Sequence, residues 1–138
     1  MTNISKIVEI GAGDFQSCYS RKFLDTAAEI HLIEPNQLFY KDLLKNFCDK
    51  KNVKCYNVAI GDSYKFVKFF NYGYCSWVEG CPSFTATQIN FEDEKVDIEK
   101  HYKILATEIG MAPITIIDHG DIDYLSINCC GSELNVLS

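Results

Sequence analysis

Little in the chain would send it to a membrane or to a polynucleotide. No apolar run approaches the roughly 20 residues that span a bilayer. The opening Met1-Thr2-Asn3-Ile4-Ser5-Lys6 has no long apolar stretch of the kind a secretion signal needs. Basic residues are the scarcer sign, with 13 Lys+Arg against 19 Asp+Glu and a formal net charge of −6. A nucleic-acid binder needs a basic stripe to neutralise phosphates, so no nucleic-acid partner and no membrane are expected. No C-x-x-C occurs among the seven cysteines, Cys18, Cys48, Cys55, Cys75, Cys81, Cys129 and Cys130. Zinc would need paired ligands at short spacing. Cys75 and Cys81 are too loosely spaced, and the neighbours Cys129 and Cys130 point different ways if they end a strand. The odd count and the missing secretion signal read as reduced thiols in a cytoplasmic protein, with no metal site. Repeats and low-complexity tracts are also lacking.

What is present suffices for one domain: 138 residues, 47% of them hydrophobic and 23% charged. The most informative stretch is Lys6-Ile7-Val8-Glu9-Ile10-Gly11-Ala12-Gly13-Asp14. An apolar run ends beside an acid and is followed by two glycines one residue apart. A buried parallel strand that stops at a ligand has this form, because glycine lets the backbone approach closely. The helix expected next would present free N–H groups there.

In order, residues 7–10 read as a strand. Residues 15–29 read as a helix with Phe15, Cys18, Tyr19, Phe23, Leu24 and Ala27 in one stripe, capped by Asp14. Residues 30–33 form a second strand, stopped by Pro35. Asn36 caps a second helix to about Cys48, with Leu38, Phe39, Leu43, Leu44 and Phe47 inward. Residues 53–58 form a third strand. This β-α-β-α-β order with short connections predicts parallel strands and right-handed crossovers. Residues 65–71 read as an antiparallel strand near an edge. Residues 71–87, with Gly73, Gly80 and Pro82 among aromatics, read as a loop, and 90–103 as loop or exposed helix. Short strands follow at 114–117 and 123–128, and a helix begins at Gly131-Ser132-Glu133.

The chemistry follows from strand ends. Nucleoside cofactors sit at the carboxyl ends of parallel strands where the strand order reverses. Gly11 and Gly13 fit the close-approach turn. Glu34, closing the second strand about 20 residues on, fits a carboxylate that accepts ribose hydroxyls. A dinucleotide fingerprint needs a third glycine, and that place holds Gln16. A pyrophosphate also disfavours nearby acids, and Glu9 and Asp14 both lie at the turn. S-adenosylmethionine carries no phosphate and has a cationic sulfonium and amino group, which acids favour.

Four segments carry a family resemblance: Val8-Glu9-Ile10-Gly11-Ala12-Gly13, Leu32-Ile33-Glu34-Pro35-Asn36, Asn57-Val58-Ala59-Ile60-Gly61-Asp62, and 123–134 with Asn128, Gly131 and Glu133. In this order they resemble the FkbM-type class I S-adenosylmethionine-dependent methyltransferases, over roughly 6–137. The resemblance implies an α/β, Rossmann-like fold, mostly parallel with helices on both faces, in one domain over 1–138. The first strand would lie between the second and the fourth, and the chain would stop after that fourth core strand. It implies S-adenosylmethionine as cofactor and O-methylation of a small-molecule or carbohydrate-like hydroxyl. Glu9, Gly11 and Gly13 would line the methionine half, Glu34 would hold the ribose, and Ala59 would lie beside the adenine. Asn128 would stand next to the methionine amino group or the reacting centre, with Glu133 beside it as the other catalytic candidate.

Departures from the family pattern are specific. Asn128 replaces the usual aspartate, Ser126 the usual lysine, and Cys129-Cys130 the usual Val-Glu. Asparagine has no titratable proton near neutral pH and is a poor general base. A strand at 123–128 with no further strand after it would leave an open apolar edge; the readings that account for it are a truncated product, a half that completes itself by dimerising, and a reduced natural version of the fold. Two rival readings remain open here: a shortened, non-catalytic nucleotide-binding module of the same fold, and an NAD-dependent oxidoreductase. Among the lesser candidates, His119 reads as an exposed turn residue, and His31 and His101 as structural or solvated. Trp77, Phe84 and Tyr74 either pack their loop or line an acceptor pocket, and Glu92-Asp93-Glu94-Lys95 reads as a solvated face.

Overall fold

The computed structural model describes residues 5–23, 25–71, 76–79, 105–117 and 121–128. The expectations for 80–103, Tyr74, His119, Cys75, Cys81, Cys129 and Cys130, and for the helix at Gly131 with Glu133, lie outside them.

The apolar run Lys6–Ile10 becomes β1, and all five of its residues are buried. It lies inside a four-stranded parallel sheet with β2 (Glu29–Ile33), β3 (Val53–Tyr56) and, on its other side, β8 (Tyr124–Ile127), in the order β3-β2-β1-β8. Strands buried on both faces need apolar residues on both. Ile7, Ile30 and Leu32 pack against Leu43 and Phe47 of the helix α1 (Gln37–Phe47). Val8, Ile10 and Ile33 pack on the opposite face against Ile60 and Ile117. The start of the sheet is tied by Asp123, whose Oδ2 accepts the Ser5 and Lys6 amides at 2.8 and 2.9 Å and the Ser5 hydroxyl at 2.6 Å.

Ile60 belongs to a second sheet of mixed direction. Its order is β4 (Ala59–Ile60), β7 (Leu105–Ala112), β5 (Lys65–Asn71), β6 (Trp77–Val78). The strand at 65–71 is antiparallel and near an edge as expected, pairing with β7 on one side and with the two-residue edge strand β6 on the other. Its partner β7 is not announced by its sequence, where Gly110 and Ala112 dilute the apolar alternation. The third strand of the first sheet ends at Tyr56, and Ala59 and Ile60 leave it to pair with Met111 and Ala112. Residues 114–116, expected within a strand, form a 3-10 turn that starts after Pro113, whose carbonyl accepts the Ile116 amide at 3.1 Å.

The first crossover departs most from expectation. Among the described residues of 15–29 there is no α-helix, and the chain turns through a 3-10 helix, Tyr19–Phe23. The cause is Glu9. Its buried carboxylate accepts the amides of Tyr19 at 2.9 Å and Ser20 at 2.8 Å. An α-helix would send those N–H groups to the carbonyls of Phe15 and Gln16. Only part of the expected stripe faces inward: Cys18 is buried in the first core and Phe15 and Phe23 pack against it, whereas Tyr19 and Ala27 are exposed and Leu24 lies outside the described residues. The second helix forms as read, with Asn36 Oδ1 accepting the Leu38 and Phe39 amides at 3.0 and 3.3 Å. Leu43 and Phe47 face inward, whereas Leu38 is 77% exposed and Leu44 is exposed too, so the buried stripe is narrower than expected.

The architecture is therefore α/β: a parallel sheet with α1 and a 3-10 crossover on one face and a second small sheet joined to the other. Among the described residues no helix is long and apolar enough to cross a membrane.

His31 is buried in β2, with Nδ1 2.8 Å from the Tyr56 hydroxyl. Its Nε2 lies 3.1 Å from Glu29 Oε1 but in a direction that makes no hydrogen bond. Burial lowers its pKa; Glu29 opposes the shift, and Lys6 and Lys54 add to it. The unfolded chain then takes up the proton first, so the stabilising contribution is complete above about pH 6.5 and is lost as the pH falls through the folded value. Urea unfolding from pH 7.5 to 5.5 should show falling stability, and His31→Leu should flatten that slope whatever it does to stability at pH 7.5. An identical slope in the variant would assign the pH dependence to other groups.

Candidate functional site

The site lies where β1, β2 and β8 end. The chain runs from β1 to β2 to β3 on one side of β1 and returns to its other side as β8. This is a switch point of strand order, where the connections leave in opposite directions and open a crevice at the carboxyl ends.

Gly11 and Gly13 form the turn at the end of β1, with φ of 79° and 73°. A Cβ is strained in that region, so the turn is built on glycine. Glu34 stands at the end of β2, 6% exposed. Its Oε1 accepts the Gly13 amide at 2.8 Å and its Oε2 accepts the Asn36 amide at 2.7 Å. One carboxylate thus holds the glycine turn to the start of α1. Burial raises its pKa and the charges of Asp14 and Glu9 add to that, while the Asn36 and Gly13 amides offset part of it.

The turn's backbone donors are turned inward. Gly11 and Ala12 donate to the Ile33 carbonyl at 2.8 and 3.1 Å. Phe15 donates to Asp42 Oδ2 at 2.8 Å, and Ser17 to Asp14 Oδ1 at 2.9 Å. The expected free N–H groups at a helix start are replaced by this bonded turn. Glu9 serves it from behind. Besides Tyr19 and Ser20, it accepts the Ser20 hydroxyl at 2.6 Å and the Cys18 thiol at 3.4 Å, so its acceptor positions are filled from within.

Of the other site residues read from the sequence, Asn128 follows β8 at the same edge. Its amide donates to the Ile10 carbonyl at 2.8 Å and the residue is exposed. Ala59 is buried in the second sheet's core with Phe69, Val78 and Met111. The structure therefore brings Gly11, Gly13, Glu34 and Asn128 to one edge, with Glu9 behind the turn and Ala59 in another core. Glu133 lies outside the described residues.

Two residues that the sequence reading did not single out hold this edge. Asn57 Nδ2 donates to the carbonyls of Glu34 and Pro35 at 2.9 and 3.1 Å, fixing the acid's backbone. Asp42 fixes the Phe15 amide. Asn57 sits in a segment quoted for its resemblance, whereas Asp42 looks like any polar helix residue. Burial raises Cys18, with the Glu9 charge adding, and pushes the Cys55 thiol up to about 11, so neither is a thiolate near neutrality. Among the described residues no group of three or more His, Cys, Asp or Glu side chains could hold a metal ion.

Set against family models, curated proteins and solved structures, the chain has no significant match. What the edge can do has to be read from its own geometry.

Gly11→Ala should destabilise the protein by about 1–2 kcal/mol, the cost of forcing a Cβ into the left-handed region. Urea unfolding reads this directly; an unchanged midpoint would mean the turn relaxes to another conformation at no cost.

Proposed function

We propose that this chain is a Rossmann-like class I methyltransferase that binds S-adenosylmethionine at the β1 turn and methylates the hydroxyl of a small or carbohydrate-like acceptor. One observation carries the reading: a glycine turn at the switch point is bonded to a buried carboxylate at the end of the neighbouring strand.

The residues fit an adenosyl ligand. A carboxylate offers about four acceptor positions, of which the Gly13 and Asn36 amides occupy two. Two remain for a pair of ribose hydroxyls. Glu34 is desolvated, so hydroxyl donors would relieve a carboxylate short of partners. The glycines give the ligand backbone without side chains. The inward-turned amides favour a ligand without phosphates and weigh against the NAD reading. The acids also suit a cation: among the described residues Glu9, Glu34 and Asp42 have no ion-pair partner.

When bound, the cofactor supplies an electrophilic methyl group. The chain's part is to hold the acceptor oxygen in line with it and to let the hydroxyl proton leave. Asn128 can orient groups by hydrogen bonds at this edge and cannot take the proton.

Calorimetry with S-adenosylmethionine tests the reading. Saturable binding is expected, and Glu34→Ala should weaken it by about 1–3 kcal/mol, the cost of unpaired ribose hydroxyls. Affinity in the wild-type chain should also fall as the pH drops below the raised pKa of Glu34, because the acceptor is the ionised form. No binding by the wild-type chain would sink the proposal, and equal affinity in the variant would place Glu34 away from the ribose.

A further inference from the structure

The segment after Gly13 is held from across the crossover, and the group that holds it has no task in its own helix. Asp42 is the sixth residue of α1, beyond the first turn where an acid gains from the helix dipole. Its backbone carbonyl accepts Asn46 Nδ2 at 2.8 Å. Its carboxylate reaches out to the Phe15 amide at 2.8 Å. The Phe15 ring is tied to the same helix, edge-on to Phe47 with centroids 5.3 Å apart. Residue 15 is thus fixed to α1 through both backbone and ring.

Phosphate-binding turns work because backbone N–H groups point at the anion. Here the Gly13 amide is held by Glu34 and the Phe15 amide by Asp42. An arriving phosphate would have to displace a charge-assisted hydrogen bond and lie beside the carboxylate it displaced. We infer that Asp42 is a specificity-determining positioning residue of the glycine turn. By holding the Phe15 amide it closes the turn to phosphates and restricts the site to nucleosides without a phosphate chain. This rests on the reading that the turn holds an adenosyl ligand.

The test compares S-adenosylhomocysteine with ADP by calorimetry on the full chain, as wild type, Asp42→Ala and Asp42→Asn. Wild type should prefer S-adenosylhomocysteine. Asp42→Ala frees the Phe15 amide and removes the charge, so the preference should shift towards ADP by about tenfold, the scale of one charge-assisted hydrogen bond. Asp42→Asn keeps a carbonyl acceptor and should shift it less, with the fold retained. Hydrogen exchange at the Phe15 amide should be fast in Asp42→Ala and slow in Asp42→Asn. Wild-type binding of ADP as tight as S-adenosylhomocysteine overturns the inference. So does an unmoved preference in Asp42→Ala despite fast exchange, which would leave Asp42 a purely structural tie and the proposed function standing. If the wild-type chain binds neither S-adenosylmethionine nor S-adenosylhomocysteine, the proposed function itself fails and this inference falls with it.

Discussion

The carboxylate of Glu34 is the constraint on which the carboxyl edge depends. It joins the turn after β1 to the start of α1 by two short bonds, to the amides of Gly13 and Asn36. Without it, a left-handed glycine turn and a helix N-terminus would meet at a buried corner with donors unsatisfied, each a substantial cost. The bond to Gly13 also sets where the chain heads next, towards the Asp42 and Glu9 anchors. The arrangement stabilises the fold while keeping the acid desolvated, which raises its pKa. A desolvated acceptor with spare lone pairs at a switch point is a group whose environment improves when a ligand brings hydroxyl donors.

Glu9 shows why part of this was legible in the sequence and part was not. The sequence marks an acid at the end of an apolar strand and pairs it with a ligand, whereas in the structure its partners are the chain's own Cys18, Tyr19 and Ser20. Its partners could not be read, because they depend on the backbone folding back eleven residues later. Once Ser20 donates to Glu9 from both amide and hydroxyl, the helical ladder over 15–29 is forfeited. Periodicity marks candidates for the core, and Cys18, Phe15 and Phe23 reach it while Tyr19 and Ala27 of the same stripe are exposed. It does not record whether their amides have a stronger acceptor than the carbonyl four residues back.

The same division runs through the rest of the chain. The parallel order of β1, β2 and β3 and the cap at Asn36 follow from local signals: short apolar runs, a proline stop and an asparagine before a helical stripe. The split into two sheets follows from competition. Ala59 and Ile60 could have prolonged β3, yet Met111 and Ala112 offer them a ladder on the far side of the core. Burying Ile60 against Val8, Ile10 and Ile33 is what joins the sheets. Strand β7 owes its length to pairing with β5 from Lys65 to Asn71, a non-local match that a single-sequence pattern does not carry.

The edge also separates binding from chemistry. Its ionisable groups, Glu9, Glu34 and Asp42, are all engaged by backbone amides, and their geometry is fixed before any ligand arrives. A carboxylate committed to backbone amides is held in place, which suits binding and positioning. Asn128, exposed at the same edge with its amide on the Ile10 carbonyl, gives a hydroxyl an amide to bond with and no place for the proton. Under the proposed function, such an edge would contribute chiefly by preorganisation, with its bonded turn and Asn128 already in place before a ligand arrives.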